Sequence, residues 1–318
     1  MKIAIITGAN SGIGYETTIE LAKAGYIVVM ACINISGAQE AQKKILEQIP
    51  EAQLIIEYLD LGSLSSVKTF TKKIINQYNE ISLLINNAGI NNAPFVLTED
   101  GFESTFQVNY LGHFYLTQHL LPLLEKNGNG RVITVTSYGH HSGTISFDDP
   151  FLQHHEPDNS PSSSSYNPFQ AYFNSKLANL LFSRELDRRL RATGSSIKSI
   201  AVHPGSVQTN MLKKNNFFSL QYLFFSTGEK LIGQTAKEGA QCSVKACLDP
   251  DIVGGEFFGP GGLFELTGYP ALVNGSQSSN DKNLSAMLWQ YTEELLDKSL
   301  NFKDDDHNEI SRQFNSKW

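Results

Sequence analysis

Tyr172 and Lys176 stand four residues apart in the run Ala171-Tyr172-Phe173-Asn174-Ser175-Lys176, downstream of Ser137. Residues four apart on a helix share a face, so the spacing places an ammonium beside a phenol. The ammonium stabilises the phenolate and lowers a phenol pKa that is ordinarily about 10. A phenol tuned in this way passes a proton to or from a carbonyl or alcohol oxygen near neutral pH. Hydride chemistry at a carbonyl needs that proton, and the start of the chain suggests where a hydride carrier sits. There Thr7-Gly8-Ala9-Asn10-Ser11-Gly12-Ile13-Gly14 follows a short apolar run. Gly8, Gly12 and Gly14 let the backbone approach a pyrophosphate, and a helix N-terminus supplies N–H donors and the positive end of a dipole. The spacing differs from the usual G-x-G-x-x-G, so the glycines need support from elsewhere in the chain.

These residues need a frame to hold them. Apolar runs of strand length, Ile3–Thr7, Tyr26–Cys32, Leu54–Leu59, Ile81–Asn86, Arg131–Ser137, Ile197–His203 and Gly255–Phe258, alternate with segments of helical period. The helical segments are Gly12–Ala24, Gly37–Ile49, Ser63–Tyr78, Phe102–Lys126, Pro168–Ala192 and Gln234–Leu248. Strands apolar throughout and alternating with helices imply an α/β protein with a doubly wound parallel sheet of about seven strands, covered on both faces. No fixed-period repeat and no clean linker appears. The chain reads as one domain over 1–303, with a loop insertion at 139–167 and a polar tail at 304–318.

Composition narrows the function classes. The chain has 318 residues, 41% of them hydrophobic, and a net charge of −7. It has no Lys/Arg cluster to bind nucleic acid. The N-terminus shows no signal-peptide pattern and no apolar run approaches the roughly 18 residues of a membrane span, so a cytoplasmic protein is expected. Cys32, Cys242 and Cys247 show no metal or disulfide spacing and read as reduced thiols. His140-His141 and His154-His155 invite a metal reading, but further ligands at a readable spacing are lacking, so no metal is expected.

Taken in order, Thr7–Gly14, Asp60-Leu61, Asn86-Asn87-Ala88-Gly89, Asn109, Ser137, Tyr172-x-x-x-Lys176 and Pro204-Gly205-x-x-x-Thr209 resemble the short-chain dehydrogenase/reductase family over nearly the whole chain. Val108–Phe114 and Ser175–Phe182 are similar to its retinol-dehydrogenase-like branch, which includes the oxidoreductase part of WW-domain-containing oxidoreductases. The resemblance implies a Rossmann-type fold and an NAD(P)-dependent oxidoreductase acting on an alcohol/carbonyl pair. It implies Tyr172 as proton donor and acceptor, with Lys176 depressing its pKa and binding the nicotinamide ribose. It implies that Ser137 holds the substrate oxygen and that Asn109 supports a proton-relaying water. Cofactor contacts are implied at Gly8, Asn10, Ser11, Gly12, Ile13, Gly14, Asp60, Leu61, Asn87, Ala88, Gly89, Tyr172, Lys176, Pro204, Gly205, Val207 and Thr209.

One position departs from the branch. Its members usually read Ala-Cys-Arg after strand two, the Arg holding the 2′-phosphate of NADP, whereas this chain reads Ala31-Cys32-Ile33-Asn34. Nor does an Asp stand there for a free ribose hydroxyl. Asn34 or Ser36 could donate to a phosphate there, and Lys43 or Lys44 could reach it. NADP remains favoured, with NAD the alternative. The segment 207–232 corresponds to the family's substrate lid, and its aromatic run Phe217–Phe225 suits a large lipophilic, retinoid-like substrate. Core packing and shallow peripheral contact with membrane lipid are the other readings of that run. A homo-oligomer is in keeping with the family. The alternative function class is an NAD(P)-binding regulatory or scaffold protein without turnover. An epimerase or dehydratase of the extended branch fits less well, because those proteins usually carry T-G-x-x-G-x-x-G.

Overall fold

The computed structural model describes residues 2–149, 166–207 and 233–301. The aromatic run Phe217–Phe225, Thr209, His154-His155 and the tail 304–318 lie outside the described residues.

Among the described residues eight strands form one sheet, in the order β3-β2-β1-β4-β5-β6-β7-β8. They are β1 Ile3–Thr7, β2 Ile27–Cys32, β3 Leu54–Tyr58, β4 Leu83–Asn86, β5 Arg131–Val135, β6 Lys198–Val202, β7 Phe257–Pro260 and β8 Pro270–Leu272. The first seven run parallel, as their mainly apolar composition predicts. The eighth is added antiparallel to β7. Its three residues, half-buried or exposed and opened by a proline, carry none of the apolar signature of an inner strand, and the sequence gives no cue to it.

Side chains alternate across the sheet. Ile3 and Ile5 of β1 face one core while Ala4 and Ile6 face the other. On the first face lie α3 (Leu64–Gln77), α4 (Gly112–Lys126), α5 (Pro168–Ala192) and a C-terminal helix, α7 (Lys282–Asn301). On the second lie α1 (Gly12–Lys23), α2 (Ile35–Gln48) and α6 (Gln241–Leu248). The sequence reading leaves α7 unassigned. It docks through Trp289, which stacks on Phe182 with centroids 5.8 Å apart, and through Thr292, whose Oγ1 lies 2.7 Å from the buried Tyr110 hydroxyl.

The expected helix Phe102–Lys126 begins at Ser104 and runs unbroken to Lys126, with one wider turn inside it. Glu103 caps a single turn, Ser104–Phe106, by accepting from the Thr105 and Phe106 amides at 2.7 and 2.8 Å. A π-helical turn, Gln107–Leu111, follows and passes into α4 with helical torsions at Leu111 and Gly112. The wider turn carries Asn109, and such turns concentrate at functional sites. Gly112 sits at its exit because a Cβ there would overlap the Leu61 carbonyl. Among the described residues no helix is long and apolar enough to cross a membrane.

Candidate active site

Strands β1 and β4 are neighbours although α1, β2, α2, β3 and α3 lie between them in the chain. This is the point where the winding reverses, and ligands of open α/β sheets bind in the crevice beyond the strand ends there. The turn after β1 is built for close approach. Gly8 has φ 66, and a Cβ on Gly14 would overlap the Gly8 carbonyl oxygen. Gly12 has φ 55 and open space where a Cβ would be. Ser11 caps α1 without a side-chain hydrogen bond, and the first turn of α1 carries no acidic residue. A neutral helix N-terminus with clear space over Gly12 fits the diphosphate of a dinucleotide. Asn10 and Ile13 are half-buried beside this turn and Ser11 is exposed.

Thr7 ties that turn to the rest of the crevice. Its hydroxyl oxygen accepts from the Asn87 and Ala88 amides, both at 2.9 Å, and lies 2.8 Å from His113 Nε2. The other ring nitrogen of His113, Nδ1, lies 3.0 Å from the Asn109 carbonyl oxygen. A carbonyl only accepts, so Nδ1 carries the proton and Nε2 receives the Thr7 hydroxyl. Burial pushes the His113 pKa down to about 4, which keeps the ring neutral.

Asn109 is fully buried and its amide is fully used. Its Oδ1 accepts from the Ile90 amide at 2.7 Å, while Nδ2 donates to the Ile90 carbonyl at 2.9 Å and to Ser175 Oγ at 3.0 Å. Ser175 donates in turn to the Tyr172 carbonyl at 2.7 Å. The π turn therefore fastens the segment after β4 to α5. A Cβ on Gly89 would stand 3.1 Å from Asn109 Oδ1 and 3.4 Å from Lys176 Nζ, so the two side chains meet over that glycine.

Helix α5 starts where Asn167 accepts from the Phe169 and Gln170 amides and Pro168 fills the first helical position. This sets the phase of Tyr172 and Lys176. Lys176 is 4% exposed. Its Nζ lies 5.5 Å from the Tyr172 ring centroid and donates to the Val135 carbonyl at 3.3 Å. Burial pushes the Lys176 pKa down to about 8, and at pH 7 the group is still mostly cationic. Tyr172 is half-buried.

Ser137 lies two residues beyond β5 rather than within it, and caps a 3₁₀ turn, Tyr138–Ser142, by accepting from the Gly139 amide at 3.1 Å. That turn packs on α5, where a Cβ on Gly139 would run into the Phe173 ring. Pro204 and Gly205 follow β6, Gly205 with φ 70. Val207 pairs with Gln234 at an isolated bridge. Asp60 Oδ1 accepts from the Gly62 amide at 2.8 Å, and Ser63, not Asp60, caps α3. The Leu61 side chain is buried in the core beneath the π turn.

At the end of β2, Ile33 is 60% exposed. Asn34 caps α2, its Oδ1 accepting from the Gly37 amide at 3.0 Å and the Ser36 hydroxyl at 2.9 Å. Lys43 and Lys44 are a further nine and ten residues along α2, about 13 Å or more along the axis. That is further than a lysine side chain extends toward a group at the N-terminus of α2. His140 uses both ring nitrogens, with Nδ1 on the Ser137 carbonyl at 2.7 Å and Nε2 accepting from the Ser276 amide at 3.1 Å. Among the described residues no group of three or more His, Cys, Asp or Glu side chains could hold a metal. The three cysteines are buried and unpaired.

Thr7, His113 and Ser175 hold this site together; all three lie in stretches that carry the family resemblance, but the sequence reading gave them no site role. A signal existed for His113, which follows Asn109 by four residues and so shares its helix face. Ser175 stands inside the Tyr172–Lys176 interval, but nothing in its residue type marks it.

A family model for short chain dehydrogenases matches residues 2–147. Retinol dehydrogenase 14 of Mus musculus is 35% identical over 93% of this chain and 86% of its own length. Retinol dehydrogenase 12 of Homo sapiens is 38% identical over 81% and 77%. The WW domain-containing oxidoreductase of Gallus gallus is 36% identical over 94% and 69%. Among solved structures, an uncharacterised protein from Mycobacterium paratuberculosis is 36% identical with a TM-score of 0.73 over 93% of each chain. The ordered motifs, the glycine turn at the switch point and these similarities together place the chain in the short-chain dehydrogenase/reductase family, in its retinol-dehydrogenase-like branch.

Proposed function

We propose that this oxidoreductase interconverts an alcohol and a carbonyl with a nicotinamide dinucleotide, using Tyr172 as proton donor and acceptor. The observation that carries this reading is the buried Lys176 ammonium beside the Tyr172 ring, on a helix tied through Ser175 and Asn109 to the crevice at the switch point. The bound dinucleotide would supply or accept the hydride. Gly12 leaves open space for its diphosphate, Gly8 and Gly14 let the turn fold closely on Asn87, Ala88 and itself, and Gly89 borders the same crevice. Lys176 favours the ionised phenol, so Tyr172 releases its proton to a carbonyl oxygen in reduction and recovers it in oxidation. Ser137 offers a hydroxyl to orient that oxygen. Asn109 locks the Ile90 backbone and α5, and so fixes the Lys176–Tyr172 pair relative to the glycine turn.

The substrate class we infer is a lipophilic, retinoid-like alcohol or aldehyde, on the strength of the relatives' names. NADP is the cofactor favoured by branch membership. The neutral Ile33 and the occupied Asn34 cap favour a smaller discrimination against NAD than an arginine would give. Tyr172→Phe tests the assignment: it should keep dinucleotide affinity while turnover falls by orders of magnitude, and near-normal turnover would sink the role given to Tyr172. A scaffold without turnover is not favoured: Ile33 at the cofactor-selecting position counts mildly for it, but Asn109, Ser137, Tyr172 and Lys176 are all present.

A further inference from the structure

We infer that Glu265 is a positioning residue for the Pro204–Ser206 turn, acting through the buried imidazole of His203. The inference rests on the reading above, in which that turn borders the dinucleotide.

His203 leaves β6 with no exposed surface. Its Nδ1 accepts from the Gly205 amide at 3.3 Å, so Nε2 carries the proton and donates it toward Glu265 Oε2 at 3.0 Å. The ring packs against β7 in the space left by Gly259, where a Cβ would overlap Nε2. Glu265 and its neighbour act on the same turn from two sides. The Leu266 carbonyl accepts from the Ser206 amide at 2.8 Å, and a Cβ on Gly205 would overlap that carbonyl. Gln234 closes the opposite side, its amide donating to the Ser206 carbonyl at 2.8 Å and its side chain to the Pro204 carbonyl.

The backbone that presents Glu265 is strained. Phe264 and Glu265 have φ of 53 and 56, two consecutive non-glycine residues in the left-handed region. Such geometry persists only where surrounding contacts over-determine it. Burial of apolar side chains does not supply those contacts, since Leu263 is 77% and Phe264 69% exposed. What holds the segment down is the Glu265–His203 hydrogen bond, the Leu266 carbonyl and the β7–β8 turn bonds of Gly261 to Tyr269 and Gly262 to Thr267. His203 also keeps the Glu265 carboxyl below its ordinary pKa, so the acceptor is a carboxylate at neutral pH. The chain thus places a carboxylate on a strained turn to hold the imidazole that holds the Gly205 amide.

The test uses the whole protein and fluorescence titration with NADH and with NADPH, alongside steady-state kinetics and thermal unfolding. Glu265→Ala leaves the His203 N–H without its acceptor. It should weaken dinucleotide binding about tenfold, raising KM for the dinucleotide with kcat changed much less. Glu265→Gln keeps an acceptor oxygen and should stay within about threefold of the wild type. If Glu265→Ala does not fold, Glu265→Asp, too short to reach His203, should show the same weakening. Glu265→Ala binding as the wild type does, or Glu265→Gln as weak as Glu265→Ala, overturns the inference. A wild-type protein that binds neither dinucleotide overturns the functional reading instead.

Discussion

Lys176→Met should make the dinucleotide-free protein more stable at pH 7 while abolishing turnover. The side chain is 4% exposed, and among the described residues no carboxylate pairs with it. Its pKa falls from 10.5 to about 8 through burial, which corresponds to about 3 kcal/mol of penalty on the folded ammonium at pH 7. Methionine removes that charge at similar volume. It also forfeits the hydrogen bond to the Val135 carbonyl, about 1 kcal/mol, but that carbonyl still receives Asn179 Nδ2 at 3.3 Å. The net gain is about 2 kcal/mol. The sign over pH follows from linkage. The folded pKa lies below the unfolded one, so the unfolded chain binds more protons between about pH 8 and 10.5. Wild-type stability therefore climbs through that window, and the advantage of Lys176→Met, full below pH 8, closes as 10.5 is approached. Urea unfolding of both proteins at pH 7, 8, 9 and 10 reads the difference directly. A variant less stable than the wild type at pH 7, or a gap that does not move with pH, refutes the reasoning.

Two further outcomes follow from named contacts. Ile33→Arg adds a cation beside the N-terminus of α2 and should tighten NADPH binding about tenfold with NADH nearly unchanged; equal tightening of both by calorimetry counts against a 2′-phosphate at that position. His113 and His140, both with pKa near 4 through burial, take up protons on unfolding, so their stability contribution is full above about pH 6.5 and lost as pH falls toward 4. In His113→Phe the slope of unfolding free energy against pH across that window should fall by about one proton, and an unchanged slope contradicts the neutral ring.

The parts of this molecule that sequence reveals are those where one residue type does one local job. Seven strands announce themselves because each is a short, mainly apolar run between helical segments, and the Tyr172–Lys176 spacing fixes a shared helix face. The remainder depends on contacts between distant segments. β8 is three residues paired only through β7. Helix α7 is anchored by Trp289 on Phe182 and by Arg189 4.6 Å over the Trp289 ring, partners about a hundred residues away. The π turn at Gln107–Leu111 arises where Asn109 is pulled between Ile90 and Ser175, while the local sequence from Phe102 to Lys126 keeps a helical pattern throughout. Ser175 and Glu265 are likewise invisible until α5 and the β7–β8 connection are in place.

The most direct test of the account follows the hydride and the proton separately. A dinucleotide deuterated at the transferable nicotinamide position is incubated with a lipophilic aldehyde and either the wild-type protein or Tyr172→Phe, after fluorescence has established that both bind the dinucleotide. The account predicts a deuterated alcohol from the wild type and turnover reduced by orders of magnitude in the variant at matched occupancy. Deuterium transfer at comparable rates by both proteins would contradict it.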